Sequence, residues 1–271
     1  MLPPPDPLTP SMTAARPLTI LVFDSGVGGF TVFRAVKAAR ADARYVYIAD
    51  DAFFPYGAQP EDVLVARIVD VIGKAIDDYA PDLVVIACNT ASTIALPALR
   101  ARFEVPFVGT VPAIKPACAQ SKTKRVAVLG TQATVNREYT RALIREFANG
   151  CDVVLVGSGK LAGFAEAELA GAPVNDDDIA AEIAPCFVDK EERRTDTVVL
   201  ACTHYPLLTA RFRAVAPWPV DWLDPAPAIA RRVSDLLRDR PAASEPAPPA
   251  RIVLTSGKTP PFMAGLAKLG F

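Results

Sequence analysis

A chain of 271 residues with 51% apolar side chains is long enough to build one large or two medium α/β domains without disulfide or metal staples. Its 29 basic and 30 acidic residues are interspersed and leave a net charge of −1, so no basic stripe exists to neutralise a phosphate backbone, and nucleic acid is not expected as a primary partner. Residues 1–17 hold six prolines and one basic residue, Arg16, with no uninterrupted apolar run; they read as a disordered extension rather than a secretory signal or a membrane span, and a cytoplasmic protein without a membrane partner is expected.

Beyond the extension, apolar β-branched runs alternate with longer amphipathic stretches, the rhythm of βαβ units in a parallel sheet. Strands are predicted at Leu18–Phe23, Tyr45–Ala49, Leu83–Ala87, Phe107–Gly109, Val126–Gly130, Val153–Val156 and Val198–Ala201. They are near-continuous hydrophobic runs, as expected when helices cover both sheet faces. Helices are predicted at Thr31–Arg40, Glu61–Tyr79, Ser92–Phe103, Asn136–Phe147, Asp177–Asp189 and Ala226–Leu237, several of them after a capping Ser, Thr, Asp or Asn. A coarse repeat emerges in which Asp24-Ser25 of the first half corresponds to Thr131 of the second, and Cys88 to Cys202. The expected architecture is therefore α/β, with two pseudo-symmetric parallel-sheet domains and an active site in the cleft between them. Residues 18–111 form the first domain and 112–220 the second, while 221–271 return to the first through a helix and a strand at Arg251–Leu254 and end in a tail. The proline-rich stretch Pro241–Ala250 reads as a loop.

In open α/β sheets ligands lie beyond the carboxyl ends of the strands. Every polar cluster of interest sits at such an end: Asp24-Ser25, Pro55-Tyr56-Gly57, Cys88-Asn89-Thr90, Thr131 to Thr134, and Cys202-Thr203-His204. The two cysteines close matching apolar runs, Val84-Val85-Ile86-Ala87-Cys88 and Val198-Val199-Leu200-Ala201-Cys202. Two thiols on duplicated strand ends suit a reaction that needs similar acid/base groups on opposite faces of one small substrate, which is the requirement of a racemase. The five cysteines, Cys88, Cys118, Cys151, Cys186 and Cys202, are widely spaced and match neither a zinc site nor a redox motif, so no metal is expected and all should stay thiols.

Cys88 precedes a helix whose first N–H groups would lower its pKa, and Cys202 stands two residues before His204, the one histidine of the chain. With a free thiol pKa of about 8.5, only roughly 3% is thiolate at pH 7, so full ionisation is worth about 30-fold; most of the barrier must fall to positioning and electrostatics. One thiolate and one thiol are needed together, with Asp24 near Cys88 and His204 near Cys202 as proton relays. Asp24, Ser25, Tyr56, Asn89, Thr90, Thr131, Thr134 and Thr203 are candidates to anchor an amino group and carboxylates. Gly26-Val27-Gly28-Gly29-Phe30-Thr31, with Asp50 downstream, offers a weak alternative as a dinucleotide turn, or is simply a tight strand-to-helix turn in which glycine permits close packing. Phosphate-loop and nucleophile-elbow motifs are absent from the sequence.

Taken in order, Asp24-Ser25-Gly26-Val27-Gly28-Gly29, Asp50 through Pro55-Tyr56-Gly57, Cys88-Asn89-Thr90-Ala91-Ser92, Leu129-Gly130-Thr131 with Thr134, and Cys202-Thr203-His204-Tyr205-Pro206 closely resemble the glutamate racemases of the aspartate/glutamate racemase superfamily, over roughly residues 18–239. The resemblance implies interconversion of L- and D-glutamate without pyridoxal phosphate or any other cofactor, supplying D-glutamate for peptidoglycan. It implies that Cys88 takes the proton from D-glutamate and Cys202 from L-glutamate, assisted by Asp24 and His204. Ser25, Pro55, Tyr56, Gly57, Asn89, Thr90, Thr131, Thr134, Thr203 and His204 would hold substrate. Glu166, in Leu161-Ala162-Gly163-Phe164-Ala165-Glu166, is the nearest match to an auxiliary glutamate and is implied as a partner of His204. A homodimer is implied as well, and a cell-wall-precursor effector or DNA gyrase is a partner of some relatives. Three other readings stand beside it: racemisation of aspartate or another acidic amino acid, a partner-binding regulator on the same fold, and a pyridoxal-phosphate enzyme using a lysine such as Lys160.

Overall fold

The computed structural model describes residues 17–240 and 248–258; the predicted disordered extension and the final tail therefore lie almost wholly outside the described residues. Eleven strands occur among the described residues, in chain order β1 (Thr19–Asp24), β2 (Arg44–Ala49), β3 (Leu83–Ile86), β4 (Phe107–Gly109), β5 (Arg125–Thr131), β6 (Asp152–Ser158), β7 (Asp189–Lys190), β8 (Arg193–Arg194), β9 (Thr197–Ala201), β10 (Asp221–Leu223) and β11 (Arg251–Leu254). They assemble into a five-stranded sheet of order β11-β2-β1-β3-β4, a four-stranded sheet of order β10-β9-β5-β6, and a β7-β8 ribbon. All pairings in the two larger sheets are parallel.

The repeat read from the sequence is present in the strand order. Passing from β2 through β1 and β3 to β4 retraces the path from β6 through β5 and β9 to β10. Asp24 ends β1 as Thr131 ends β5, and Cys88 and Cys202 follow the ends of β3 and β9. Among the described residues the strand β11 is the odd one, added outside β2 with no counterpart in the second sheet.

Each sheet is buried on both faces. On one face of the first, helix Glu61–Tyr79 lays down Leu64, Ile68, Ile72 and Ala75, a stripe at helical spacing, against Leu21, Phe23, Val46, Ile48, Val84 and Ile86. The opposite face packs on helices Phe30–Ala39 and Ala226–Leu236, through Phe30, Phe33, Val36, Ile229 and Val233. At roughly 1.5–3 kcal/mol per fully buried large apolar side chain, these stripes hold the helices far more firmly than their end caps do. The chain thus leaves the second sheet after β10 and returns to the first with helix Ala226–Leu236 and strand β11.

Two predicted helices are corrected. The helix expected over Asp177–Asp189 ends at Ile183; Pro185, which lacks an N–H, turns the chain into a short 3-10 segment, and Asp189 opens the β7-β8 ribbon. The helix expected from Asn136 begins at Glu138, because a separate turn of helix, Gln132–Asn136, precedes it and is capped by Thr131.

Candidate active site

The strand ends converge on a cleft with about 320 Å³ of empty space, mouth included. Its walls come from both halves: Ser25, Tyr56, Gly57, Cys88, Asn89 and Thr90 from the first, and Thr131, Cys202, Thr203 and His204 from the second. Pro55 completes the predicted wall, and Phe54, Ala162 and Ala201, which sequence reasoning missed, complete the observed one. Both thiols therefore face one cavity. Asp24, Thr134 and Glu166 stand behind the wall and reach the cavity through other residues.

Cys88 caps helix Asn89–Arg102, its sulfur accepting the Ala91 N–H at 3.5 Å, and its thiol donates to Ser25 Oγ at 3.6 Å. The helix end pulls its pKa down as the sequence suggested, but that pull is outweighed. Burial is the largest effect and the negative charge of Asp24 adds to it, together pushing the Cys88 thiol up to about 12 against the smaller opposite pull of the Ala91 N–H and Ser25. Cys88 thus holds its proton in the free site.

Asp24 is fully buried, which raises its pKa despite the positive charge of His204, the N–H groups of Gly29 and Gly26, and the Thr203 hydroxyl. Gly29 donates to Asp24 Oδ2 at 3.0 Å, and Thr203, from the other half, donates to Oδ1 at 3.2 Å. On the opposite side, His204 Nδ1 lies 3.8 Å from Cys202 Sγ and its Nε2 lies 3.0 Å from Glu166 Oε1. Burial works to lower the His204 pKa, but the contacts with Cys202 and Glu166 outweigh it and raise it to about 10. Glu166 in turn accepts the Val27 N–H at 3.2 Å, joining this chain of contacts to the first half.

The glycine turn is not a phosphate cradle. A Cβ on Gly26 would stand 2.5 Å from Glu166 Oε1, and one on Gly28 would stand 2.6 Å from the His204 backbone nitrogen, so these glycines exist to let the second half close on the first. Asp50, the candidate ribose ligand of the dinucleotide alternative, is instead buried against Tyr56, Arg67 and Thr255. Lys160 lies outside the cavity, 3.4 Å from Glu182 and largely exposed.

Three hydroxyls bridge the cleft floor. Thr90 Oγ1 lies 3.1 Å from Thr131 Oγ1 and 3.4 Å from Thr134 Oγ1, and the latter two are 3.0 Å apart. Beside them Asn89 is 2% exposed, yet neither its amide oxygen nor its amide nitrogen has a hydrogen-bond partner. A buried amide left unpaired costs on the order of 1–3 kcal/mol per group, which is tolerated where a ligand supplies the missing partners.

A cavity lined by two thiols from equivalent strand ends, with titratable side chains bonded to its lining residues and an unpaired buried amide in its wall, suits an enzyme that handles a proton on a small polar substrate. The family model described as Asp/Glu/Hydantoin racemase matches residues 31–233. The glutamate racemase of Brucella anthropi is 55% identical over 237 residues, covering 87% of this chain and 84% of that protein. That of Mesorhizobium japonicum is 53% identical over 253 residues, with coverages of 93% and 96%. Among solved structures, Escherichia coli glutamate racemase in complex with L-glutamate and the activator UDP-MurNAc-Ala is similar with a TM-score of 0.82 and 39% identity, covering 93% of this chain and 94% of that one. The chain belongs to the Asp/Glu racemase family and, within it, to the glutamate racemases.

Proposed function

We propose that this chain interconverts L- and D-glutamate by two-base proton transfer between Cys88 and Cys202, supplying D-glutamate to peptidoglycan synthesis. The observation that carries the reading is the single cavity lined by both thiols, with the unpaired Asn89 amide in its wall. Glutamate is favoured over aspartate by the relatives named above, one of which was crystallised with L-glutamate.

In the L-to-D direction, Cys202 takes the α-proton while Cys88, kept protonated by burial and by Asp24, gives one to the opposite face. His204 stores a proton beside Cys202, and Glu166 holds the imidazole in place. In the reverse direction Asp24 receives the Cys88 proton, a task for which its raised pKa fits it. The substrate ammonium brings positive charge toward Asp24 and eases ionisation of the buried thiol, coupling substrate binding to activation. Ser25, Tyr56, Gly57, Asn89 and Thr203 hold the amino acid, and Thr90 and Thr131 offer hydroxyls to a carboxylate, with Thr134 orienting them from behind. A homodimer belongs to the same reading. Among the described residues, no helix is long and apolar enough to cross a membrane.

The test follows the circular dichroism of L-glutamate with the purified protein in heavy water and no added cofactor. Decay of the signal with deuterium at the α-carbon is expected, and Cys88→Ser and Cys202→Ser should each slow it at least about a thousandfold. Faster turnover of L-aspartate under matched conditions would overturn the substrate assignment, and undiminished activity in either serine variant would overturn the mechanism.

A further inference from the structure

The extra strand β11 is followed by Thr255-Ser256-Gly257, and this turn is hydrogen-bonded to the loop that forms one wall of the cavity. Thr255 Oγ1 donates to Asp50 Oδ1 at 2.6 Å and accepts the Ala52 N–H at 3.3 Å. Ser256 gives its N–H to Asp51 Oδ1 at 2.9 Å and its hydroxyl to Oδ2 at 2.5 Å. Asp50 is fully buried, and its carboxylate also reaches into the site loop: Oδ2 accepts the Tyr56 hydroxyl at 2.7 Å, while Arg67 grips Oδ1 at 2.7 Å and Oδ2 at 3.1 Å.

Between Asp50 and Ala58 the chain makes only two 3-10 turns, which hold their own shape weakly. Yet this stretch supplies Phe54, Pro55, Tyr56 and Gly57 to the cavity wall, with the Phe54 ring 5.4 Å from that of His204. Its position is therefore set by what fastens it, and part of that fastening comes from the turn after a strand outside the repeated architecture.

We propose that Thr255 and Ser256 are positioning residues that act through Asp50 and Asp51 to hold the Phe54–Gly57 wall against the substrate; the proposal rests on the glutamate racemase reading above. Because the two thiols stand on other turns, loosening this wall weakens the grip on glutamate more than it slows proton transfer. Neither residue touches the cavity.

The experiment compares Thr255→Val, Thr255→Ser and Ser256→Ala with the wild-type full chain. Thr255→Val keeps the side-chain volume and leaves Asp50 bound to Arg67 and Tyr56. It should raise the KM for L-glutamate about fivefold to tenfold with kcat within about twofold, and Thr255→Ser should restore the wild-type KM. Amide hydrogen exchange over residues 52–57 should quicken in Thr255→Val even without substrate. An unchanged KM and unchanged exchange at the wild-type melting temperature would overturn the proposal, as would losses that merely follow the melting temperature or that Thr255→Ser does not repair. If Thr255→Val fails to fold, Ser256→Ala decides: a raised KM with faster exchange supports the proposal and wild-type values overturn it. Wild-type protein inactive on glutamate would instead defeat the functional reading, and the exchange measurement still judges the clasp.

Discussion

The backbone N–H of Gly28 lies 3.3 Å from Nε2 of His204, so a turn of the first half closes directly onto the one histidine of the chain, carried by the second. A methyl group on Gly28 would overlap the imidazole and approach the His204 backbone nitrogen to 2.6 Å, and backbone cannot step aside as a flexible side chain can. Gly28→Ala should therefore lower kcat at least about a hundredfold, the cost of an ångström-scale misplacement of catalytic groups. In Gly163→Ala, where an added Cβ meets nothing within 4 Å, activity should be unchanged and stability should rise by about 0.5–1 kcal/mol from helix propensity. Steady-state kinetics and thermal melting of the pair check both; an active Gly28→Ala would mean that the contact is looser in solution.

Asn89 trades stability for binding. Its amide is buried without partners, so Asn89→Leu, similar in volume, should raise the stability of the free protein by roughly 1–2 kcal/mol, the desolvation cost recovered. The same change removes donor and acceptor from the cavity wall and should raise the KM for glutamate about a hundredfold or more. Denaturant unfolding and kinetics on one sample measure both, and a lower stability would show that the amide is satisfied before substrate arrives.

The pH dependence of stability reports on His204. Its folded pKa, about 10, exceeds the unfolded value of 6.5, so the folded protein binds the proton more tightly. The resulting stabilisation is fully present below pH 6.5 and is lost as pH rises through 10. His204→Gln removes the group, so its melting temperature should fall less than that of wild type between those limits. Parallel curves would mean that the contacts with Cys202 and Glu166 do not hold an extra proton. Asp24, whose pKa is also raised, acts in the same direction at lower pH: its stabilisation weakens as pH climbs above its unfolded value of 3.8.

Much of this site was legible because parallel strands buried on both faces are written as apolar runs, and the polar residue after each run marks a cleft-facing end. Cys88 and Cys202 were found that way, as were the residues that follow them. Short elements escaped: Leu161–Leu169 contains glycine and three alanines with no clear apolar stripe, and the two-stranded β7-β8 ribbon is too brief to carry a period. The direction of the Cys88 pKa was misread because sequence reveals the helix that follows it but not the degree of burial or the nearness of Asp24. The part Asp50 plays in fastening the site loop was hidden for a related reason, since Thr255, one of its partners, lies 205 positions away.

The threonine triangle joins the halves at the cavity floor, and its members should differ in a defined order. Thr131 caps helix Gln132–Asn136 by accepting the Thr134 N–H at 3.2 Å and also lines the cavity. Thr131→Val should thus cost about 1 kcal/mol of stability and raise the KM at least about tenfold. Thr134 reaches the cavity only through its two neighbours, so Thr134→Val should raise the KM only about threefold. Thr90 and Thr131 share a hydrogen bond of 3.1 Å across the cleft, and removing either hydroxyl breaks it. The Thr90→Val, Thr131→Val double variant should therefore lose less transition-state stabilisation than the two single losses combined, by about 0.5–1.5 kcal/mol in a double-mutant cycle on kcat/KM. Strict additivity would mean that the two hydroxyls bind substrate without touching each other, and that closure of the cleft does not depend on their contact.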